Sequence, residues 1–130
     1  MTMRSQDYIQ AVHPGDFARV LDVWEASVRA THLFLSEADI QFLKPLVRDE
    51  LPNVPGLACV RDDKGQVAGF MGAVDGKIEM LFIDPMWRGQ GIGRRLLEHA
   101  VQELGATRVD VNEQNEEAVG FYLRMGFAIE

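Results

Sequence analysis

The sequence predicts one mixed α/β domain, in which helices flank a central sheet, and three observations support this class. An apolar run at 80–83 leads through a glycine-rich turn into an amphipathic segment, which is the order of a strand, a tight turn and a helix. Short apolar runs bounded by turn residues alternate with segments of helical periodicity. The 130 residues, 47% hydrophobic and 25% charged, are typical of one ordinary globular core.

The chain begins with a predicted strand and a predicted helix. The strand covers Tyr8–Val12 and ends at a turn over 13–15 that contains proline and glycine. Asp16 stands where a helix N-cap is expected. Apolar residues then recur at helical spacing over 17–31, so this segment is predicted to be helical.

A second helix is predicted from Ser36 to about Glu50. Ser36 and Asp39 resemble a capping box with a shorter acidic side chain than usual. Pro45 lies inside the segment, so we expect a kink or a break there. The link between the two helices, residues 31–35, is unusually apolar for a loop.

Three strands joined by tight turns are predicted in the middle of the chain. Leu57–Arg61 and Gln66–Val74 flank a polar turn at 62–65. Asp75-Gly76 is a strong signal for a two-residue hairpin turn. The strand that follows it, Lys77–Ile83, leads into the glycine-rich turn.

The last third of the chain alternates helix and strand. The helix after the glycine-rich turn ends at Gly105. Arg108–Val111 is a short predicted strand, and Asn115–Met125 is a predicted helix with Gly126 as its C-cap. Phe127–Glu130 is predicted to begin a further strand.

The glycine-rich turn, Arg-Gly-Gln-Gly-Ile-Gly-Arg-Arg at 88–95, predicts a site for a phosphate group. Glycines at alternate positions let the backbone adopt unusual dihedral angles and approach a ligand closely. A helix start leaves backbone N–H groups unpaired and carries a partial positive charge. Three arginines and no acidic residue lie between 88 and 95, which further favours an anion.

Two familiar phosphate-binding loops fit this turn poorly. The P-loop is excluded because neither the lysine nor the following serine or threonine is present. The dinucleotide fingerprint G-x-G-x-x-G fits at Gly89 and Gly91, but Arg94 stands at its last glycine. Asp110 follows at a suitable distance for the acidic residue of that fingerprint, so this interpretation stays open.

A third loop fits at every position. Residues 88–93 match R/Q-x-x-G-x-G/A, the pyrophosphate loop of the GNAT superfamily of acetyl-CoA-dependent N-acetyltransferases. A second block is similar to the family signature N-x-x-A-x-x-F-Y-x-x-x-G-F and is carried by Asn115, Ala118, Phe121, Tyr122, Gly126 and Phe127. The two blocks follow each other in the family's order and separation, so the chain resembles this superfamily.

The resemblance implies the GNAT fold, with a central, mostly antiparallel sheet flanked by helices, in a single N-acetyltransferase domain over 1–130. In the family a further strand follows Phe127–Glu130, and the sequence stops before it. We therefore expect a sheet without its last strand, truncated at the C-terminus. Such a form is expected to be less stable than a longer one or to recruit a strand from a second copy.

The resemblance also implies the residues that bind acetyl-CoA. The backbone of the strand at 81–83 is expected to hold the pantetheine arm, and the glycine-rich turn to hold the pyrophosphate. The expected cofactor-binding residues are Leu81, Phe82, Ile83, Arg88, Gly89, Gln90, Gly91, Ile92, Gly93, Arg94, Asn115 and Tyr122. Asn115 is equally well explained as a helix N-cap. No spacing of His, Cys, Asp and Glu predicts a metal site.

Acetyl transfer to an amine needs a group that takes up a proton and a group that protonates the leaving thiolate. Tyr122 is the candidate general acid, because a phenol with a pKa of about 10 is protonated at neutral pH and the family tyrosine lies beside the CoA sulfur. Its alternative explanation is a core aromatic. Glu79 is the candidate general base through a water, and its alternative is a solvated strand position.

The acceptor is expected to be a small-molecule or peptide amine. In the family the link between the first two helices covers the acceptor site, so His32 and Phe34 are the candidate substrate-binding residues. The sequence does not identify the amine. It also leaves open a monomer or a homodimer.

Composition narrows the class of protein. A formal net charge of −7 argues against nucleic-acid binding. No apolar run is long enough for a membrane span, and residues 1–7 do not resemble a signal peptide, so we expect a cytoplasmic protein without a membrane partner. Cys59 is the single cysteine, lies in an apolar run, and is expected to be a buried thiol.

Two other classes of function stay open. A CoA-binding sensor or regulatory module without catalysis would carry the same loop, and a nucleotide-binding domain would share part of it. Tyr122 favours the enzyme, since a pure binding module needs no acid at the sulfur.

Overall fold

The computed structural model describes residues 9–109, 111 and 115–129. Within these residues, six strands form one sheet in chain order, and four α-helices cover its two faces. The strands are β1 (Gln10–Ala11), β2 (Ala58–Arg61), β3 (Val67–Val74), β4 (Lys77–Ile83), β5 (Arg108–Val109) and β6 (Ala128–Ile129), and the helices are α1 (Phe17–Thr31), α2 (Glu37–Glu50), α3 (Ile92–Leu104) and α4 (Glu116–Arg124).

The sheet is mixed and mostly antiparallel, as predicted. The pairs β1–β2, β2–β3 and β3–β4 are antiparallel, whereas β4–β5 and β5–β6 are parallel. Each parallel pair is connected by a helix, α3 and then α4, because parallel neighbours need a crossover connection. Asp75 and Gly76 both have positive φ, 52° and 77°, which confirms the tight hairpin turn between β3 and β4.

A β-bulge interrupts β4 at Glu79. Gly72 of β3 pairs with Met80, and the next residue, Ala73, pairs with Ile78, so Glu79 is an extra residue without a partner in the register. The bulge reverses the alternation of side chains along β4. Ile78 packs into the core that contains α3 and α4, and Met80 packs against the core that contains α1 and α2.

The two faces of the sheet therefore have separate cores. On one face Phe70 and the thiol of Cys59 are buried against α1 and α2. Cys59 is fully buried, which confirms the expected buried thiol, and burial raises its pKa to about 11. On the other face Met71 packs with Leu96 and Leu97 of α3.

Helix α2 runs through Pro45, so of the expected kink or break the break is wrong. Its capping box is confirmed, because Ser36 Oγ accepts from the Asp39 N–H at 3.1 Å and the Asp39 carboxylate accepts from the Ser36 N–H at 2.9 Å. Ile40 and Val47 lie on either side of the proline and pack into the same core. Burial of this face outweighs the hydrogen bond that the proline cannot make.

Asp16 occupies the N-cap position of α1, but its side chain does not cap that helix. Its carboxylate accepts from the His13 N–H at 2.8 Å and forms an ion pair with the Arg61 guanidinium at 2.8 Å. The hydrogen bonds from Arg61 lower the pKa of Asp16 to about 2. The prediction that Asp16 caps α1 is therefore wrong. Its side chain instead links the start of α1 to the end of β2 through Arg61.

The C-terminal elements are slightly shorter than predicted. Asn115 is the N-cap of α4, and Gly126, with φ of 86°, follows the C-cap residue Met125. The strand predicted over 108–111 is observed only for Arg108–Val109. Tyr8, Asp110 and Glu130 lie outside the described residues, as do residues 112–114 of the second sequence block.

Candidate active site

A cleft of about 350 Å³ lies where the end of β4, the start of α3 and one face of α4 meet. Nearly all of the predicted cofactor-binding residues line it, namely Leu81, Phe82, Ile83, Arg88, Gly89, Gly91, Ile92, Gly93, Arg94, Asn115 and Tyr122. Gln90 does not, because its side chain is exposed outside the cleft. Its carbonyl oxygen instead accepts from Arg95 Nη1 at 3.4 Å.

The glycine-rich turn forms one wall of the cleft. Gly89 and Gly91 have φ of 81° and 79°, a region that side-chain-bearing residues rarely adopt. A Cβ added at Gly91 would find no atom closer than Arg95 Nη1 at 4.0 Å, so this backbone faces open space. Gly91 is also the N-cap of α3, whose first N–H groups have no partner within the helix. This wall is suited to a diphosphate.

Basic side chains surround this wall. Arg88, Arg94 and Arg124 line the cleft together with one carboxylate, Glu117. Arg88 forms an ion pair with Glu117 across the mouth, between the turn and α4. The excess of guanidinium groups favours an anionic ligand at this end.

An ion pair beneath the cleft holds the end of β4 in place. Arg19 of α1 donates from Nη2 to the Asp84 carboxylate at 2.7 Å and from Nε to the Val67 carbonyl at 3.0 Å. Asp84 is 7% exposed, and its other oxygen accepts from the Met86 N–H at 3.0 Å. The residue that leads into the glycine-rich turn is thereby tied to α1 and to β3.

Replacing Arg19 with methionine is expected to lower the free energy of unfolding by about 2 kcal/mol, because the buried Asp84 carboxylate loses its charged partner and the Val67 carbonyl loses the hydrogen bond from Nε. Urea denaturation followed by fluorescence measures the change. The matched control is Arg29→Met, whose partners Glu25 and Glu37 are on the surface, and it should change stability less. Equal effects of the two variants would contradict this role for Arg19.

Tyr122 lies at the inner end of the cleft and is 6% exposed. Its ring contacts Phe121 and Phe127, with centroid distances of 5.4 and 6.0 Å. Burial raises its pKa above the ordinary value. The core aromatic and the proton donor, which the sequence presents as alternatives, are compatible in one residue that packs on one side and lines the cleft on the other.

A second, smaller cavity of about 100 Å³ lies beyond Tyr122, between β4 and β5. Among the described residues, the two strands pair at Lys77 with Arg108 and at Ile78 with Val109. The bulge at Glu79 follows directly. Glu79 lines this cavity, with its side chain 36% exposed and Lys77 Nζ 3.9 Å from its carboxylate.

His32 lines both cavities, as do Asn115 and Tyr122. Burial lowers the pKa of His32, which favours the neutral imidazole. Phe34 contacts the His32 ring with a centroid distance of 5.4 Å and does not line either cavity. The structure therefore places His32 directly in the site and Phe34 behind it.

Sequence reasoning missed Ser27 and Thr31, which line the large cleft from α1. Ser27 is a buried polar residue on the otherwise apolar face of α1, and Thr31 follows one helical turn later. A polar pair at this spacing on a core-facing helix stripe is a signal that could have identified them.

No helix within the described part of the chain is long and apolar enough to cross a membrane.

Comparison with known proteins gives consistent results for this site. Residues 55–129 match the family model of the acetyltransferase (GNAT) domain. The peptidyl-lysine N-acetyltransferase YjaB of Salmonella typhimurium is 46% identical over 111 residues, which are 85% of this chain and 76% of that protein.

Solved structures agree with this match. The solution structure of apo-form YjaB from Escherichia coli has a TM-score of 0.79 at 41% identity and covers 89% of this chain and 78% of that chain. A PaiA N-acetyltransferase from Thermoplasma acidophilum, crystallised in complex with coenzyme A, has a TM-score of 0.74 over 95% of this chain and 90% of that one. Its identity is 21%, so this likeness concerns the fold alone.

Proposed function

The chain belongs to the GNAT acetyltransferase family and is an acetyl-CoA-dependent N-acetyltransferase, and from this premise we propose that it acetylates lysine side chains of peptides or proteins. One observation carries the proposal. The large cleft, suited to CoA, and the small cavity, open to an acceptor, share Tyr122 as a common lining residue. A thioester and an amine that enter from opposite sides meet there.

The cofactor is proposed to bind along the large cleft. Its pyrophosphate lies against the glycine-rich turn and the start of α3, where unpaired N–H groups and Arg88 and Arg94 neutralise its charge. Its pantetheine arm follows the backbone at 81–83 and the amide of Asn115. This path brings the thioester to Tyr122.

The acetyl group is proposed to pass directly to the amine. The neutral amine attacks the thioester carbonyl, and the tetrahedral intermediate collapses as the Tyr122 hydroxyl protonates the leaving thiolate. The nitrogen releases one proton as the amide forms, and a proton from solvent restores the Tyr122 hydroxyl. The burial that raises the pKa of Tyr122 also penalises the charged thiolate beside it, so the thiolate gains proton affinity in the same place. The acid therefore remains suited to its leaving group.

Glu79 is proposed as the base that receives the amine's proton through a water. It stands on the bulge, at the wall of the small cavity, and its partial exposure leaves room for solvent. Its negative charge also attracts an ammonium group to this opening.

A lysine side chain suits the small cavity. Its walls are largely apolar, with Ile78, Met80, Val109 and Val111 among them, which favours a chain of methylenes. The protein's net charge of −7 favours a cationic acceptor. The relative from Salmonella typhimurium, and those named YjaB and YiaC from Escherichia coli, bear the name peptidyl-lysine N-acetyltransferase.

The experiment is a comparison of acceptors by thiol release from acetyl-CoA. An N-terminally blocked peptide with one lysine should accelerate release, and mass spectrometry should find one added acetyl group. The same peptide with the lysine replaced by arginine is the matched control. Faster turnover of polyamines or aminoglycosides than of the peptide would contradict a lysine acceptor. Binding of CoA with no release for any amine would favour a non-catalytic CoA-binding module.

A further inference from the structure

A chain of hydrogen bonds around His32 favours one tautomer of the neutral imidazole. Thr31 Oγ1 donates its single proton to the Ser27 carbonyl oxygen at 2.8 Å. Thr31 Oγ1 itself also lies 2.8 Å from His32 Nδ1. Because the hydroxyl proton is already engaged, Thr31 Oγ1 can only accept from the ring, so Nδ1 carries the proton of the neutral imidazole.

The other side of the ring is consistent with this tautomer. Asn115 Oδ1 accepts from the Ala118 N–H at 3.2 Å as the cap of α4, so the carbonyl end of this amide faces its own helix. Asn115 Nδ2 then faces His32 Nε2 at 3.4 Å. A nitrogen with two protons next to Nε2 requires Nε2 to be an acceptor.

The lone pair on Nε2 is thus directed into the site. The contact with Asn115 is long, and an ammonium group is a stronger donor than a neutral amide, so an incoming amine competes for this lone pair. The rings of Phe34 and Phe82, with centroids 5.4 and 6.2 Å from that of His32, limit its movement.

We propose that His32 is the first proton acceptor of the acetyl transfer, placed between the amine and the water held by Glu79. The ammonium transfers one proton to Nε2, which makes a neutral amine and an imidazolium with protons on both nitrogens. The imidazolium then returns its Nε2 proton to the water at Glu79 and so to solvent. No bond other than N–H is made or broken at His32, and the proposal rests on the acetyl transfer proposed above.

A direct acceptor is needed because the amine arrives charged. A lysine side chain with a pKa of about 10.4 is neutral in roughly one molecule in 10³ at pH 7.5. An acceptor in contact with the ammonium gives this proton a direct route out of the complex, and general base catalysis contributes ~10²- to 10⁴-fold. Burial keeps the imidazole in its accepting form at that pH.

The charged neighbours of His32 do not oppose this role. Among the described residues, the ionisable side chains that share a cavity with it are Glu79, Arg88, Arg94, Glu117, Tyr122 and Arg124. The shift in its pKa is due to burial, not to any of these charges. Glu79 shares the smaller cavity with His32.

The test is the pH dependence of kcat/KM for the lysine peptide in His32→Gln, with Glu79→Gln as the matched variant. Without its first acceptor, His32→Gln should react only with the small neutral fraction of amine. At pH 7 the kcat/KM of His32→Gln should be ~10²-fold below that of the unsubstituted enzyme. This difference should shrink about tenfold per pH unit, so that the two values nearly coincide at pH 9. The kcat/KM of Glu79→Gln should decrease less, because bulk water can carry the proton away in place of Glu79.

A loss of the same factor at every pH in His32→Gln would overturn the proposal and leave a role in positioning only. If the decrease in kcat/KM depended on pH in Glu79→Gln but was the same at every pH in His32→Gln, Glu79 and not His32 would be the first proton acceptor. The dissociation constant for CoA should be unchanged in both variants. If the unsubstituted enzyme acetylates no amine, the proposed function fails, and that outcome is distinct from a failure of His32 alone.

A second measurement does not depend on the variants. Long-range ¹H–¹⁵N correlation spectra of the unsubstituted protein should show His32 neutral at pH 7, with the proton on Nδ1. A ring protonated on Nε2 at that pH could not accept a proton from the amine, and this result would overturn the proposal.

Discussion

Tyr122→Phe is expected to lower kcat by ~10²-fold or more while CoA affinity and thermal stability stay nearly unchanged. The phenyl ring keeps the contacts with Phe121 and Phe127, so the hydrophobic packing of α4 and of the segment leading to β6 is retained. Only the hydroxyl group is removed, and with it the proposed proton donor to the leaving thiolate. The loss therefore appears in turnover and not in binding.

Three measurements separate this role from a structural one. Steady-state kinetics with a saturating amine give kcat, calorimetric titration gives the CoA dissociation constant, and thermal unfolding gives Tm. The kcat of the wild-type enzyme should not decrease up to pH 10 through ionisation of Tyr122, because burial raises the pKa of this residue. Unchanged kcat in Tyr122→Phe would transfer the acid role to another group or to water.

Gly91→Val is expected to abolish measurable CoA binding. The backbone at Gly91 faces the open cleft, with Arg95 Nη1 at 4.0 Å as the nearest atom to an added Cβ. A valine side chain would therefore project into the space that the pyrophosphate needs. It would also force a β-branched residue to a φ of 79°, which strains the first turn of α3.

Gly65→Val is the matched control for this prediction. Gly65 has a φ of 80° in the turn between β2 and β3, and an added Cβ meets no atom within 4 Å. The two variants thus carry the same backbone strain, but Gly65 does not line the cleft. Calorimetric titration should find CoA binding lost only in Gly91→Val. A folded Gly91→Val protein with unchanged CoA affinity would show that the loop is not the pyrophosphate site.

Several elements could be predicted because their causes are local in sequence. The turn at Asp75-Gly76 depends on two residues that tolerate positive φ. The capping box of α2 depends on side chains three residues apart. The glycine-rich turn and the start of α3 depend on residues 88–95 alone, so this wall of the candidate site follows from its motif.

Other features were beyond sequence reasoning because they depend on distant partners. Asp16 pairs with Arg61, 45 positions away, and not with the helix that it precedes. Pro45 stays within one helix because the face on either side of it is buried. No local pattern reports such contacts, since they depend on which surfaces the fold brings together.

The sequence by itself determined the family, the cofactor loop and the candidate acid, because each depends on a short motif whose residues act through their own backbone or their own chemistry. The tertiary structure decided how the acceptor side is built. The bulge that places Glu79 arises from the register between β3 and β4. The hydrogen bonds around His32 include one with Asn115, 83 positions away in the chain. Proton positions and cavity walls are set by such long-range packing, which no short stretch of sequence encodes.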